Sequence, residues 1–224
     1  NFLASSKVLV IPINLDSTNK SDKLLSDIDI AFNGTVNETG YESVKTYYQK
    51  SSYGKLNIDF DILDEWYTPK RKKRYYENYY NIETNADGST LLLQEALTYF
   101  DDKINYDDYD LNNDNYIDSV WLIYNCDVNF MSDSIYWAYT YWDTYTKPNV
   151  NKPTFNVYCW GSYDFMYEGV SSTSGLKLDA HTLIHETGHM LGLDDYYDYD
   201  STKNPTGCLD MMDYNIGDHN SYSK

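Results

Sequence analysis

The residues best suited to chemistry lie in one short run, at positions 181–195. It contains H-E-x-x-H at His185, Glu186 and His189, extended by G-x-x-D to Asp195. Residues i and i+4 of a helix share one face, so both histidine rings can reach one metal ion with Glu186 beside them. Zinc held by three protein ligands and a water molecule is a hydrolytic catalyst. The run therefore predicts a zinc-dependent hydrolase with Glu186 as general base.

The third zinc ligand is expected shortly after the helix. Such sites take either a glutamate from a later helix or a residue six positions after the second histidine. No glutamate follows Glu186 in these 224 residues, and Gly192 can adopt the left-handed conformation that ends a helix. Asp195 is therefore favoured. His181, one turn before the first ligand, is expected to support the site or lie at the surface near the helix start rather than bind the metal, with approach to the metal as the alternative. The competing carboxylates are Asp194, Asp198 and Asp200.

The competing explanation is an ordinary buried helix, in which the two histidines are hydrogen-bonded and the glutamate forms a salt bridge. Three of the four histidines fall between His181 and His189, a clustering that chance does not readily produce. A second pattern supports the metal site, because Met212 precedes Tyr214 by two residues downstream. A methionine turn beneath the metal is a feature of metzincins, and the tyrosine could reach the metal or donate a hydrogen bond to an oxyanion. The alternative is a methionine that only fills the core and one tyrosine among 26.

An acidic loop provides a candidate calcium site. Its candidate ligands are Asp110, Asn112, Asp114, Tyr116 and Asp118. They occupy positions 1, 3, 5, 7 and 9 of an EF-hand-type loop, with Tyr116 offering its backbone carbonyl. The loop departs from that pattern at Asn115, where glycine is usual, and at Trp121, where a bidentate glutamate is usual. The alternative is an acidic turn that precedes a strand.

Hydrophobic periodicity predicts the elements that must position these side chains. We expect strands at 7–13, 56–63, 120–124, 135–139 and 155–158, helices at 21–32, 41–52, 89–100 and 179–191, and a solvated loop at 70–74. Strands and helices without strict alternation predict an α+β fold, with a sheet backed by helices. Neither an internal repeat nor a linker divides the chain, so one domain is expected.

Composition narrows the range of partners. The formal net charge is −18 and the isoelectric point is about 4.3, so nucleic acid and anionic membrane surfaces are repelled. No apolar run is long enough to span a membrane, and no signal peptide is present, as in a mature chain. Cys126, Cys159 and Cys208 lack the clustered spacing of a cysteine zinc site. One disulfide with a free thiol, or three thiols, are both open.

These motifs together resemble the immune inhibitor A-like secreted metallopeptidases of bacteria. The segments that carry the resemblance are 8–12, 41–56, 109–118, 185–198 and 217–220. The resemblance implies a zincin- or metzincin-like α+β peptidase domain: a twisted sheet with mostly antiparallel edges, backed by helices, one of which carries H-E-x-x-H. It also implies His185, His189 and Asp195 as zinc ligands, Glu186 as general base and a protein or peptide substrate.

The same resemblance suggests how the chain is organised. We expect a single metallopeptidase catalytic domain over residues 1–224, with an upper lobe of about 1–192 and a lower lobe of about 193–224. The family's catalytic domain usually runs further than Lys224, and its members are secreted with an upstream pro-segment. An extracellular or cell-surface, calcium-supported zinc endopeptidase is therefore the expected function. The rivals are a zinc-holding adhesion or binding domain without turnover, and a narrow exopeptidase.

Overall fold

The computed structural model describes residues 5–128, 135–200, 202–203, 205–215 and 217–219. Parts of the expected lower lobe, including Asn220 and Lys224, lie outside the described residues, as do residues 1–4. The strands are β1 (Ser5–Ile13), β2 (Asn57–Ile62), β3 (Tyr80–Asn81), β4 (Ala86–Asp87), β5 (Tyr116–Ile117), β6 (Val120–Tyr124), β7 (Tyr139–Trp142), β8 (Thr154–Phe155) and β9 (Val157–Ser162). The α-helices are α1 (Asp22–Asn33), α2 (Val36–Thr39), α3 (Val44–Ser51), α4 (Lys73–Glu77), α5 (Gly88–Tyr99), α6 (His181–Met190) and α7 (Met211–Tyr214).

The main sheet has five strands in the order β2-β1-β6-β9-β7. The first four run parallel to one another, and β7 runs antiparallel to β9 at one edge. Every residue of β6 is buried, which is typical of a parallel strand covered on both faces. The fold is therefore mixed α and β, with a mostly parallel sheet.

Helices cover both faces of this sheet. Val8 and Val10 of β1 face a core shared with α1, α3 and α6. Leu9 and Ile11 alternate to the other face and pack in a core that includes α5. The helical crossovers α1–α3 and α4–α5 explain the parallel pairing, because parallel neighbours need long connections.

The expected antiparallel edges are present on one side only. β7 is antiparallel, whereas the opposite edge strand β2 is parallel to β1. The expectation was wrong at β2 because a strand's own sequence does not record the direction of its partner.

Most of the predicted elements are confirmed, and their ends follow local signals. The hydroxyl of Ser21 accepts a hydrogen bond from Leu24 N and begins α1. Ser43 caps α3 in the same way, and the Asp87 carboxylate caps α5. Such side-chain caps satisfy backbone N–H groups that lack partners within the helix.

Three predicted elements need correction. The predicted loop at 70–74 contains the start of α4, whose Tyr76 is buried and donates to the Glu95 carboxylate at 2.7 Å. The predicted strand at 135–139 begins only at Tyr139, where pairing with β9 starts. The predicted strand at 155–158 is divided between β8 and β9, which belong to different sheets.

The cysteines and the helix lengths give two further observations. Cys126 and Cys159 are buried thiols, and no disulfide joins either of them to Cys208. None of the described helices has the length and apolar character required to cross a bilayer.

Candidate metal centre

Helix α6 is fixed in the core by buried hydrogen bonds from two neighbouring elements. The Tyr48 hydroxyl of α3 donates to the carbonyl of Ile184 at 2.6 Å. The indole of Trp121 on β6 donates to Thr187 Oγ1 at 3.2 Å. Because the helix is held against the sheet, its opposite face carries His185 and His189 into a cleft.

A tight turn after α6 returns the chain to the histidines. Gly192 has φ of 91°, in the left-handed region that favours glycine. Its N–H donates to the carbonyl of His189, and the N–H of Leu193 donates to the carbonyl of Gly188 at 3.0 Å. These bonds satisfy carbonyl groups at the end of the helix. The turn brings Asp195 back beside the histidine face.

The structure brings three potential metal ligands together. Asp195 Oδ1 lies 3.1 Å from His185 Nε2 and 3.2 Å from His189 Nε2. Their ligand atoms all lie within 4.8 Å of one another, and no other such group of three occurs in the part of the chain that the structure describes. The three residues are those that the sequence predicted.

The contacts of the second ring nitrogens indicate which nitrogen of each histidine is available to bind a metal. His185 Nδ1 contacts the carbonyl oxygen of Met211 at 2.9 Å, and His189 Nδ1 contacts that of Leu193 at 2.8 Å. A carbonyl only accepts, so each Nδ1 carries a proton. A ring that is also protonated on Nε2 donates to Asp195, whereas a neutral ring, the form that binds a metal, has its lone pair on Nε2. Two Nε2 lone pairs and a carboxylate oxygen then face one another. A cation between them makes this arrangement favourable, and these atoms are suitable zinc ligands.

Two tyrosines hold the other oxygen of Asp195. Tyr197 and Tyr199 donate their hydroxyl protons to Oδ2 at 2.8 and 2.6 Å. Burial acts to raise the pKa of Asp195, but the bonds from both histidines and both tyrosines outweigh it and hold that pKa well below its usual range. Burial and the adjacent carboxylate raise the pKa of Tyr197. The carboxylate thus stays ionised and the tyrosine stays a donor.

Glu186 lies beside the ligands in a nearly closed environment, with 8% of its surface exposed. Its Oε2 accepts a hydrogen bond from Thr140 of β7 at 2.8 Å. Burial raises the pKa of this carboxyl, and the neighbouring histidines and Thr140 offset only part of that shift. A raised pKa suits a group that must accept a proton and then release it. Sequence reasoning missed Thr140, because no local pattern marks it.

Met212 is fully buried against α6, beneath the ligand face. A Cβ atom added at Gly188 would lie 2.5 Å from Met212 Sδ and 3.0 Å from the Tyr48 hydroxyl. The carbonyl of Met212 also accepts from Tyr196 N at 2.7 Å. The segment therefore supports both the helix and the returning loop, and its role as a methionine turn stays a prediction.

The ligands lie in a cavity of about 690 Å³. Aromatic side chains form much of its wall, including Trp137 and Trp142. Tyr214 lines the same cavity and is 59% exposed. His181 also lines it but does not belong to the ligand group.

The competing carboxylates do not join the ligand group. Asp194 is exposed. Asp198 is turned into its own loop, where Oδ2 accepts from Thr202 and Lys203. Asp200 is exposed beside it. Asp195 is therefore the aspartate that the turn places at the histidines.

The acidic loop has its side-chain oxygens turned toward its own backbone. Asp110 accepts from the N–H groups of Asp114 and Asn115 at 3.0 and 2.9 Å, and Asn112 Oδ1 accepts from Asp114 N. Asn115 has φ of 67°, so asparagine does occupy the left-handed position. Burial and the neighbouring Asp110 and Asp114 carboxylates raise the pKa of Asp118. Trp121 is buried on β6, and its side chain has no oxygen that could bind a cation.

Comparison with known proteins adds no family to this description. No protein-family model matches the sequence, and no curated protein matches it either.

Proposed function

We propose that this protein is a zinc-dependent endopeptidase. The observation that carries the proposal is the convergence of His185, His189 and Asp195 beside the buried carboxylate of Glu186, in a cleft. Three nitrogen and oxygen ligands with an open position are the arrangement of catalytic zinc sites. Zinc bound there would supply a Lewis acid and lower the pKa of a coordinated water toward about 7.

Glu186 supplies the proton transfers. It takes a proton from the attacking water and passes it to the leaving amine. The Thr140 hydroxyl fixes Oε2, which leaves the second carboxylate oxygen to accept the proton. Tyr214, at the rim of the cavity, is the proposed donor to the developing oxyanion.

The cleft offers a place for an extended peptide. β7 forms one edge of the sheet, and among the described strands only β9 pairs with it. Its residues Tyr139, Thr140 and Trp142 line the cavity. An edge strand can bind an extended peptide by adding it to the sheet, which supports a peptide substrate over a small molecule.

Replacing Glu186 with glutamine tests this function. The zinc-loaded variant should keep about one zinc ion per chain and lose casein cleavage by hundreds-fold or more, because the base is removed and the ligands are not. Unchanged cleavage would overturn the mechanism. If neither the wild type nor the variant cleaves casein or peptides while both bind zinc, the protein is instead a zinc-holding binding or adhesion domain. Analysis of product ends distinguishes an exopeptidase.

We propose further that the acidic loop binds calcium through Asp110, Asn112, Asp114, Tyr116 and Asp118. The support is the spacing of these oxygens, together with the repulsion between carboxylates that a cation would relieve. Calcium should raise the melting temperature of the wild type but not of Asp114→Ala. An equal rise in both would contradict the site.

The resemblance to the immune inhibitor A-like family supports a related proposal about origin. In that case the chain is secreted or held at the bacterial cell surface, it is made with an upstream pro-segment, and it acts on proteins. Mass spectrometry of culture medium and cell fractions tests this, and recovery from the cytoplasm alone would contradict it.

A further inference from the structure

His181 forms a second histidine site in the cleft. It is the first residue of α6, one turn before His185, and lies outside the ligand group. Its ring Nδ1 contacts Asp179 Oδ1, and its backbone N–H donates to the same oxygen at 3.1 Å. The other Asp179 oxygen accepts from Gly169 N at 2.8 Å. Asp179 is thus fixed from two sides and fixes the orientation of the ring.

The remaining nitrogen, Nε2, has Glu168 as its neighbour, and both residues line the cleft. It lies 3.7 Å from Glu168 Oε2, and both side chains are partly exposed. Burial acts to lower the pKa of His181, but the carboxylates of Asp179 and Glu168 outweigh it and raise that pKa. A raised pKa favours the imidazolium, in which Nε2 carries a proton to donate.

His181 lies where two cavities meet. A second cavity of about 620 Å³ adjoins the metal cleft, with an apolar wall that includes Leu176 and Leu178. The two cavities share His181, Tyr214 and Asn215 as lining residues. A peptide that extends from the metal into the second cavity must therefore pass His181.

We propose that His181, oriented by Asp179, donates a hydrogen bond from Nε2 to a backbone carbonyl of a peptide substrate that continues into the second cavity. This inference rests on the proposed function. Two carboxylates flank the single imidazolium, so the site as a whole is negative and disfavours the terminal carboxylate of a peptide. A neutral carbonyl in the interior of a chain is the better acceptor, which favours cleavage within chains over removal of C-terminal residues.

Peptide binding in the zinc-loaded Glu186→Gln background tests the inference without turnover. One peptide spans only the metal cleft, and two others extend it by three residues at one end or the other. Extension at one end should tighten binding. His181→Phe and His181→Leu should each weaken binding of that longer peptide by about tenfold, the size expected for one hydrogen bond from a charged donor. Binding of the short peptide and zinc content should change less than about twofold.

Two further variants separate orientation from charge. Asp179→Asn should weaken binding of the longer peptide, but by less than the His181 variants do, because it disturbs the orientation of the ring without removing it. Glu168→Gln keeps the ring oriented by Asp179 and removes only one of the two carboxylates that favour the imidazolium, so it should weaken binding of the longer peptide less than Asp179→Asn does. With two His181 variants, the test can still be made if one of them fails to fold.

The outcomes distinguish this inference from the proposed function. If the wild type cleaves peptides and both His181 variants bind the longer peptide as tightly as their parent, only the inference is overturned. If the zinc-loaded wild type neither binds nor cleaves any peptide, the proposed function fails and the inference fails with it.

Discussion

Replacing Tyr197 and Tyr199 with phenylalanine removes both hydroxyl groups that donate to Asp195 Oδ2. A hydrogen bond to a charged group contributes about 1.5–3 kcal/mol when shielded from water. Tyr197 is 37% exposed and Tyr199 is 78% exposed. We therefore assign about 1.5 kcal/mol to the hydrogen bond from Tyr197 and a smaller energy to the bond from the more exposed Tyr199. With about 1.4 kcal/mol per tenfold change, Tyr197→Phe should weaken zinc binding about tenfold and Tyr199→Phe about threefold. The double variant should lose about 30-fold, within the range of about 10–100-fold for groups that support metal ligands.

The assay is a zinc titration of the apoprotein in competition with a chromophoric chelator of known affinity. Tyr145→Phe is the matched control, because it removes a tyrosine hydroxyl from a loop outside the metal cleft. Circular dichroism checks that each variant is folded. A double variant that binds zinc as tightly as the wild type would refute the reasoning, because Oδ2 would then have no role in presenting Oδ1 to the metal.

Three further predictions follow from the contacts around α6. Thr140→Val should lower kcat for a peptide about tenfold with zinc content unchanged, because it removes the donor to Glu186, and Thr140→Ser should restore it; equal loss in both variants would point to a packing effect. Gly188→Ala should destabilise the fold by about 2 kcal/mol, or roughly 4–8 °C in melting temperature, because its methyl group overlaps Met212. Adding Met212→Ala should reduce that cost, and strict additivity would contradict the contact. Burial acts to lower the pKa of His189, but Asp195, the Leu193 carbonyl and Glu186 together outweigh burial and raise that pKa above its usual value of 6.5. Zinc affinity should therefore be full above that raised pKa and should fall as the pH drops through it. A zinc affinity that does not change between pH 8 and pH 5 would contradict the proposed ligands.

The sequence predicted the parts of the site that depend on local order. The i, i+4 spacing placed His185 and His189 on one helix face, and Gly192 marked the turn that returns Asp195. Apolar runs and hydrophobic periodicity likewise located most elements to within a few residues. These features depend on neighbours in the chain, so a single sequence contains them.

The missed features depend on contacts between distant segments. Thr140 reaches Glu186 across 46 positions, through the pairing of β7 with β9. The strand predicted at 135–139 was displaced for the same reason. The partnership of His181 with Asp179 is close in sequence, but it matters because the fold exposes the ring to two adjoining cavities. Spacing does not reveal which cavity a side chain lines.

The central claim is that a zinc ion at His185, His189 and Asp195 enables peptide-bond hydrolysis. The most direct measurement is the rate of casein cleavage by one protein sample, first as purified with zinc, then after chelation and dialysis, and finally after one equivalent of zinc is restored. The account predicts cleavage, its loss together with the metal, and its return at one zinc ion per chain, with no return in Asp195→Ala. Cleavage that persists at full rate in the metal-free protein would contradict the account.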